Sequence, residues 1–98
     1  MYTSNNEQLL KNARECFEKL EYKKSQMILN EIIESDDNNV DAFFLLANIF
    51  HINGEIGKAI KAFNKVLTLN PEHTDAAISL SVLYNDIGQY EDARKVFE

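Results

Sequence analysis

Glycine, proline, cysteine and positive charge are all scarce in this chain. Three glycines and one proline in 98 residues are too few for a sandwich or barrel of short strands, which must turn every ~8–12 residues. A single cysteine, Cys16, excludes an internal disulfide, and two histidines without CxxC or HxxxH spacing give no zinc framework. A reducing, cytoplasmic setting follows. The longest uninterrupted apolar run, Ala42 to Ala47, is far short of the ~20 residues of a membrane span. The opening MYTSNNEQLL has neither the cationic start nor the apolar stretch of an export signal. Ten basic residues against sixteen acidic ones leave a formal charge of −6. That balance repels phosphate backbones and anionic lipid, so no nucleic acid and no membrane is expected as a partner.

What is present is the composition of one small folded domain, 45% hydrophobic and 27% charged. An internal repeat organises it. A shift of 34 residues superposes Asp41, Ala42, Leu46, Gly54, Ala59, Lys61 and Phe63 on Asp75, Ala76, Leu80, Gly88, Ala93, Lys95 and Phe97. The same shift brings Ala13, Glu21, Lys24 and Asn30 onto Ala47, Glu55, Lys58 and Asn64. Leu9, Cys16, Leu29 and Ile32 then meet Phe43, Phe50, Phe63 and Val66, so the apolar phase runs from end to end.

Within each period the apolar residues recur every three or four positions, as helices buried on one side require. Phe43, Leu46, Ala47 and Phe50 form one stripe, and Ala59, Phe63, Val66 and Leu67 a second beyond Asn53-Gly54. Asn70-Pro71 ends it, because proline cannot continue a helix. The spacing predicts helices over 6–19, 22–35, 40–53, 56–69, 74–87 and 90–98. Asn39 and Thr74 are the expected N-caps. Phe43, Leu46, Phe50, Phe63 and Tyr84 are the expected core.

A 34-residue helical hairpin carrying Phe43, Leu46, Ala47, Phe50, Gly54, Ala59, Phe63 and Pro71 resembles the tetratricopeptide repeat. Leu80, Ser81, Tyr84, Gly88, Ala93 and Phe97 continue the pattern, while the first unit departs from it at Asn12, Leu20, Ser25 and Asp37. The resemblance implies an all-α fold, an α-solenoid of about three tandem hairpins wound into a right-handed superhelix. Residues 1–5 would be an N-terminal extension, and residues 6–98 would hold repeats over about 6–39, 40–73 and 74–98, the last incomplete. The chain then reads as the N-terminal part of a larger protein.

The candidates for chemistry have simpler readings. Cys16 is in phase with Phe50 and Tyr84, which makes it a core thiol rather than a nucleophile paired with His51 or His73. Asp37-x-Asn39-x-Asp41 starts like a calcium loop, but Ala42 stands where its glycine belongs and Asn48 where its bidentate acid belongs. No metal, cofactor or catalytic residue is assigned. Lys58, Lys61 and Lys65 are balanced by Asp41, Glu55 and Glu72 and read as a solvated convex face.

The resemblance points instead to the concave face lined by the first helix of each hairpin. By phase it presents Glu18 and Asp86 together with ten candidate binding residues, Leu10, Arg14, Phe17, Phe44, Asn48, His51, Ile52, Ile78, Val82 and Asn85. Large apolar residues on a face expected to be wet mark a binding surface. Family members that clamp acidic chaperone tails need cationic and amide side chains along this groove. Leu10, Leu45, Asp75 and Ser79 occupy such places here, so an amphipathic helix or an apolar peptide of a protein partner suits it better. The expected function is therefore a non-enzymatic protein-interaction module. Self-association through the incomplete last helix, or a regulatory appendage to a downstream enzyme, are the alternatives.

Overall fold

The computed structural model describes residues 2–98, and the side chains of residues 5–98. Six helices follow one another: α1 (Tyr2–Glu18), α2 (Tyr22–Ser35), α3 (Val40–Ile52), α4 (Ile56–Leu69), α5 (Thr74–Asp86) and α6 (Tyr90–Lys95). No strand occurs among the described residues. They pair as α1 with α2, α3 with α4 and α5 with α6, and the hairpins stack through α2 on α3 and α4 on α5. This is the stacked-hairpin architecture expected from the repeat, drawn out to 43 × 25 × 18 Å.

Two ends differ from the sequence expectation. Helix α1 begins at Tyr2, so residues 2–5, expected as an extension, are its first turn. This stretch of the sequence carries no apolar period, so periodicity alone starts the helix later. At the other end α6 stops at Lys95 rather than running to the last residue.

The turns inside the hairpins share one geometry. Gly54 and Gly88 have φ of 79°, the left-handed region open to residues without a Cβ. The N–H groups of Glu55 and Gln89 donate to the carbonyls of Phe50 and Tyr84 at 2.9 and 2.8 Å, closing the helix end in a Schellman arrangement. The first hairpin builds the same turn without glycine. Leu20 takes φ of 66°, and the Glu21 N–H donates to the Cys16 carbonyl at 2.8 Å.

Caps set the entry to the next hairpin. Asn39 Oδ1 accepts from the Ala42 N–H at 3.0 Å, as expected. At α5 the cap is His73, not Thr74: its Nδ1 accepts from the Ala76 N–H at 3.1 Å. Thr74 is already the first residue of the helix.

Two apolar clusters fill the stack. Leu10, Ala13, Leu29, Ile32, Ala42, Leu46 and Ile49 join α1, α2 and α3. Ala47, Ala59, Phe63, Val66, Ala76, Leu80 and Leu83 join α3, α4 and α5. Small residues sit where helices of one hairpin approach, and Ser25 takes this role in the first, at the register of Ala59 and Ala93. Its buried hydroxyl donates to the Ala13 carbonyl at 2.8 Å, which meets the requirement that a buried polar group find a partner. Of the expected core, Leu46 and Phe63 are buried. Phe43, Phe50, Tyr84 and Cys16 are half-buried instead, the first three packed against the edge of the second cluster.

Candidate functional site

The first helices of the hairpins, α1, α3 and α5, carry the ten candidate binding residues of the concave face, and the structure divides them. Leu10 is 9% exposed and packs in the core with Ala13, Leu29 and Ile32. It is therefore a core residue. Phe17 is half-buried, its ring edge-on to Tyr22 at 5.4 Å. Phe44 is half-buried as well, edge-on to the buried Phe63 at 6.0 Å and 4.7 Å from the imidazole of His73. An aromatic side chain is long enough to reach from the inner register back onto α4, so Phe44 ties α3 to α4 and to the start of α5.

Three apolar side chains remain open to solvent: Ile52, Ile78 and Val82 at 52%, 49% and 44%. Ile78 and Val82 stand one turn apart on α5, with exposed Asn85 continuing the stripe three residues on. On α3, Asn48 and Ile52 are likewise one turn apart, and half-buried His51 lies in the last turn. The Asn48 amide donates to the Phe44 carbonyl of its own helix at 3.1 Å, which leaves its oxygen free to accept. Arg14 sits 3.7 Å from the Asp41 carboxylate, both exposed, so α1 and α3 are linked by a weak surface pair. The face is thus an apolar stripe on α5, one isoleucine on α3, and a polar set of Arg14, Asn48, His51 and Asn85.

Nothing in this arrangement resembles a catalytic constellation. Among the described residues no group of three His, Cys, Asp or Glu side chains could hold a metal ion. The calcium-like start at Asp37, Asn39 and Asp41 is used as a helix entry, with Asn39 as the cap. No described helix is long and apolar enough to cross a membrane.

Two features were not anticipated. One is the double role of His73 as cap and as aromatic partner of Phe44; a histidine directly before a helix start was the available signal. The other is an open groove of about 320 Å3 lined by Phe43, Leu46, Phe50 and Ala62 with Lys58, Lys61 and Lys65. Charge balance alone makes the three lysines a solvated face; their helical spacing beside the register of Phe43 and Phe50 is the signal in the sequence for the groove.

Residues 40–73, helices α3 and α4 with the loop that follows, match the family model of the tetratricopeptide repeat. These residues are a tetratricopeptide repeat. Superkiller protein 3 of Saccharomyces cerevisiae is 30% identical over 83% of this chain, which spans 6% of that protein. A tetratricopeptide repeat protein from Parabacteroides merdae superposes with a TM-score of 0.88 at 22% identity, covering 95% of this chain and 36% of that one. A chain of the CopN-Scc3 complex gives the same TM-score at 16% identity, with 95% and 55% covered. At these identities the structural likenesses establish the fold. The chain therefore spans only part of the tetratricopeptide repeat proteins it matches, and the departures at Leu20 and Ser25 leave the repeat geometry of its first hairpin intact.

Proposed function

We propose that this chain is a non-enzymatic protein-interaction module that docks an amphipathic helix or an apolar peptide of a protein partner on the inner face of its first helices. Ile52, Ile78 and Val82 are the anchors in this reading, and Arg14, Asn48, His51 and Asn85 supply hydrogen bonds around them. The exposure of Ile78 and Val82 on one stripe of α5 carries the proposal, since two large aliphatic side chains open to water on one helix face make an apolar patch. The tetratricopeptide repeat over residues 40–73 supports it, as does the occurrence of the same fold in a two-protein complex.

Leu10, Phe17 and Phe44 are not anchors here, because packing already occupies them. The test uses residues that packing does not need. Ile78→Glu and Val82→Glu should keep the helical content of the parent and weaken partner recovery from a native lysate, each by about 2 kcal/mol as expected of a hot-spot anchor. Recovery of the same proteins in the same amounts by both variants would sink the proposal. Sedimentation at several concentrations separates it from self-association, which would change the size of the chain alone.

A further inference from the structure

The second groove lies on the other side of α3. With 3.6 residues per turn, Phe43, Leu46 and Phe50 share a face turned away from Asn48 and Ile52, so this groove and the inner face are separate surfaces. Its floor is Phe43, Leu46 and Phe50 from α3 and Ala62 from α4, and its rim is Lys58, Lys61 and Lys65. The volume of about 320 Å3 is at the small end of the ~300–1,000 Å3 of ligand sites. It suits a few side chains of a peptide rather than a cofactor.

The charges decide the occupant. Helix α4 contains three lysines and no acidic residue, in a chain whose formal charge is −6. Lys58, Lys61 and Lys65 form one stripe, where like charges three or four residues apart repel one another. Lys58 Nζ lies 5.7 Å from the centre of the Phe50 ring and Lys65 Nζ 5.6 Å from that of Phe43, so ammonium groups stand over the apolar floor. Glu55 holds Lys58 at 3.1 Å. A surface pair of this kind is weak enough to be exchanged for an incoming carboxylate.

We infer that this groove docks an acidic amphipathic segment of a partner protein, which sets apolar side chains on Phe43 and Phe50 and carboxylates against Lys58, Lys61 and Lys65. A nucleic acid has no aliphatic side chain to offer the apolar floor of Phe43, Leu46, Phe50 and Ala62. A protein segment supplies both. The neutralised lysine stripe and the covered rings make apolar and acidic positions on the partner act together, so neither suffices alone.

Two synthetic helical peptides of about 16 residues test this. They share one Leu and Phe stripe, spaced every three or four residues, and differ only in flanking Glu or Gln. Amide shifts of the labelled chain report the site. The Glu peptide should shift α3 and α4 resonances around Phe43, Phe50, Lys58, Lys61 and Lys65 and bind about tenfold more tightly than the Gln peptide, an advantage that added salt removes. Exchanging exposed Lys58 and Lys61 for glutamine, K58Q and K61Q together, should abolish that tenfold difference while circular dichroism stays unchanged. The variants I78E and V82E should bind the Glu peptide as the parent does, which separates this inference from the inner-face proposal. Equal affinities for the two peptides, shifts gathered on Ile52, Ile78 and Val82, or no shift with either at millimolar peptide would overturn it. Dimerisation of the parent chain lost in the lysine variant would also overturn it, since a second copy would then be the occupant.

Discussion

At the scale of the residue, the chain tolerates substitutions in its repeat pattern when the replacement reproduces the physical role. Ser25 stands where two other hairpins use alanine, and it is accommodated because its hydroxyl finds the Ala13 carbonyl. His73 replaces the usual small capping side chain with an imidazole nitrogen. Leu20 is the exception, since it occupies a left-handed turn position that Gly54 and Gly88 fill elsewhere. A residue with a Cβ costs about 1–2 kcal/mol there, and at 70% exposure Leu20 recovers little of it by burial. Glycine gives back part of the gain through the greater freedom of the unfolded chain, about 0.5–1 kcal/mol. Leu20→Gly is therefore expected to stabilise the protein by about 0.5–1 kcal/mol, read as a higher denaturation midpoint at unchanged slope. The reverse change supports the reading: a Cβ at Gly54 meets no atom within 4 Å, so Gly54→Ala should lose about 1 kcal/mol through backbone conformation alone. A lower midpoint for Leu20→Gly would show that the leucine contributes contacts that its exposure hides.

At the scale of the helix, one register position shows how far the sequence could be read. Leu10, Phe44 and Ile78 are related by the 34-residue shift, yet they are buried, half-buried and 49% exposed. The 34-residue period places all three at one register of their helices. It did not give depth, because depth depends on what lies beside the helix: α1 touches α3 directly, whereas Ile78 has no such cover. The helices themselves were legible, α2 and α4 to the residue, since glycine or asparagine turns and Pro71 punctuate a strong period. The groove over Phe43 and Phe50 was not, as knobs between helices and knobs at an open edge leave the same trace. Phe44 carries the testable consequence. A charged side chain there must leave Phe63 and His73 unpacked, so Phe44→Glu should destabilise by about 3–5 kcal/mol, as other losses of a large packed aromatic do. Val82→Glu should leave the midpoint within about 0.5 kcal/mol of the parent, as surface changes usually do. Equal midpoints for the two variants would return Phe44 to the open face.

At the scale of the whole molecule, stability in a stack of hairpins is the sum of each unit and its interfaces with neighbours, so it need not be even along the chain. The middle hairpin is packed from both sides, by α2 and by α5, and it holds Phe63, the largest fully buried side chain. The last described helix is its opposite. Six residues long, α6 buries Ala93 alone, and Tyr90 and Phe97 on either side of it are 67% and 61% exposed. Exposed backbone hydrogen bonds and few apolar contacts allow local opening at far less than the global free energy. Amide hydrogen exchange of the 98-residue chain should therefore be slowest in α3 and α4, intermediate in α2 and α5, and fastest in α6. The groove at Phe43 and Phe50 would then sit on the most rigid hairpin, while the Ile78 and Val82 stripe sits on a helix with one firm neighbour and one loose one. An acidic peptide in the groove should leave α6 exchange unchanged, whereas a partner on the inner face should slow α5. Uniform protection from α1 to α6 would mean that the hairpins open as one cooperative unit, and the two faces could not then be told apart by exchange.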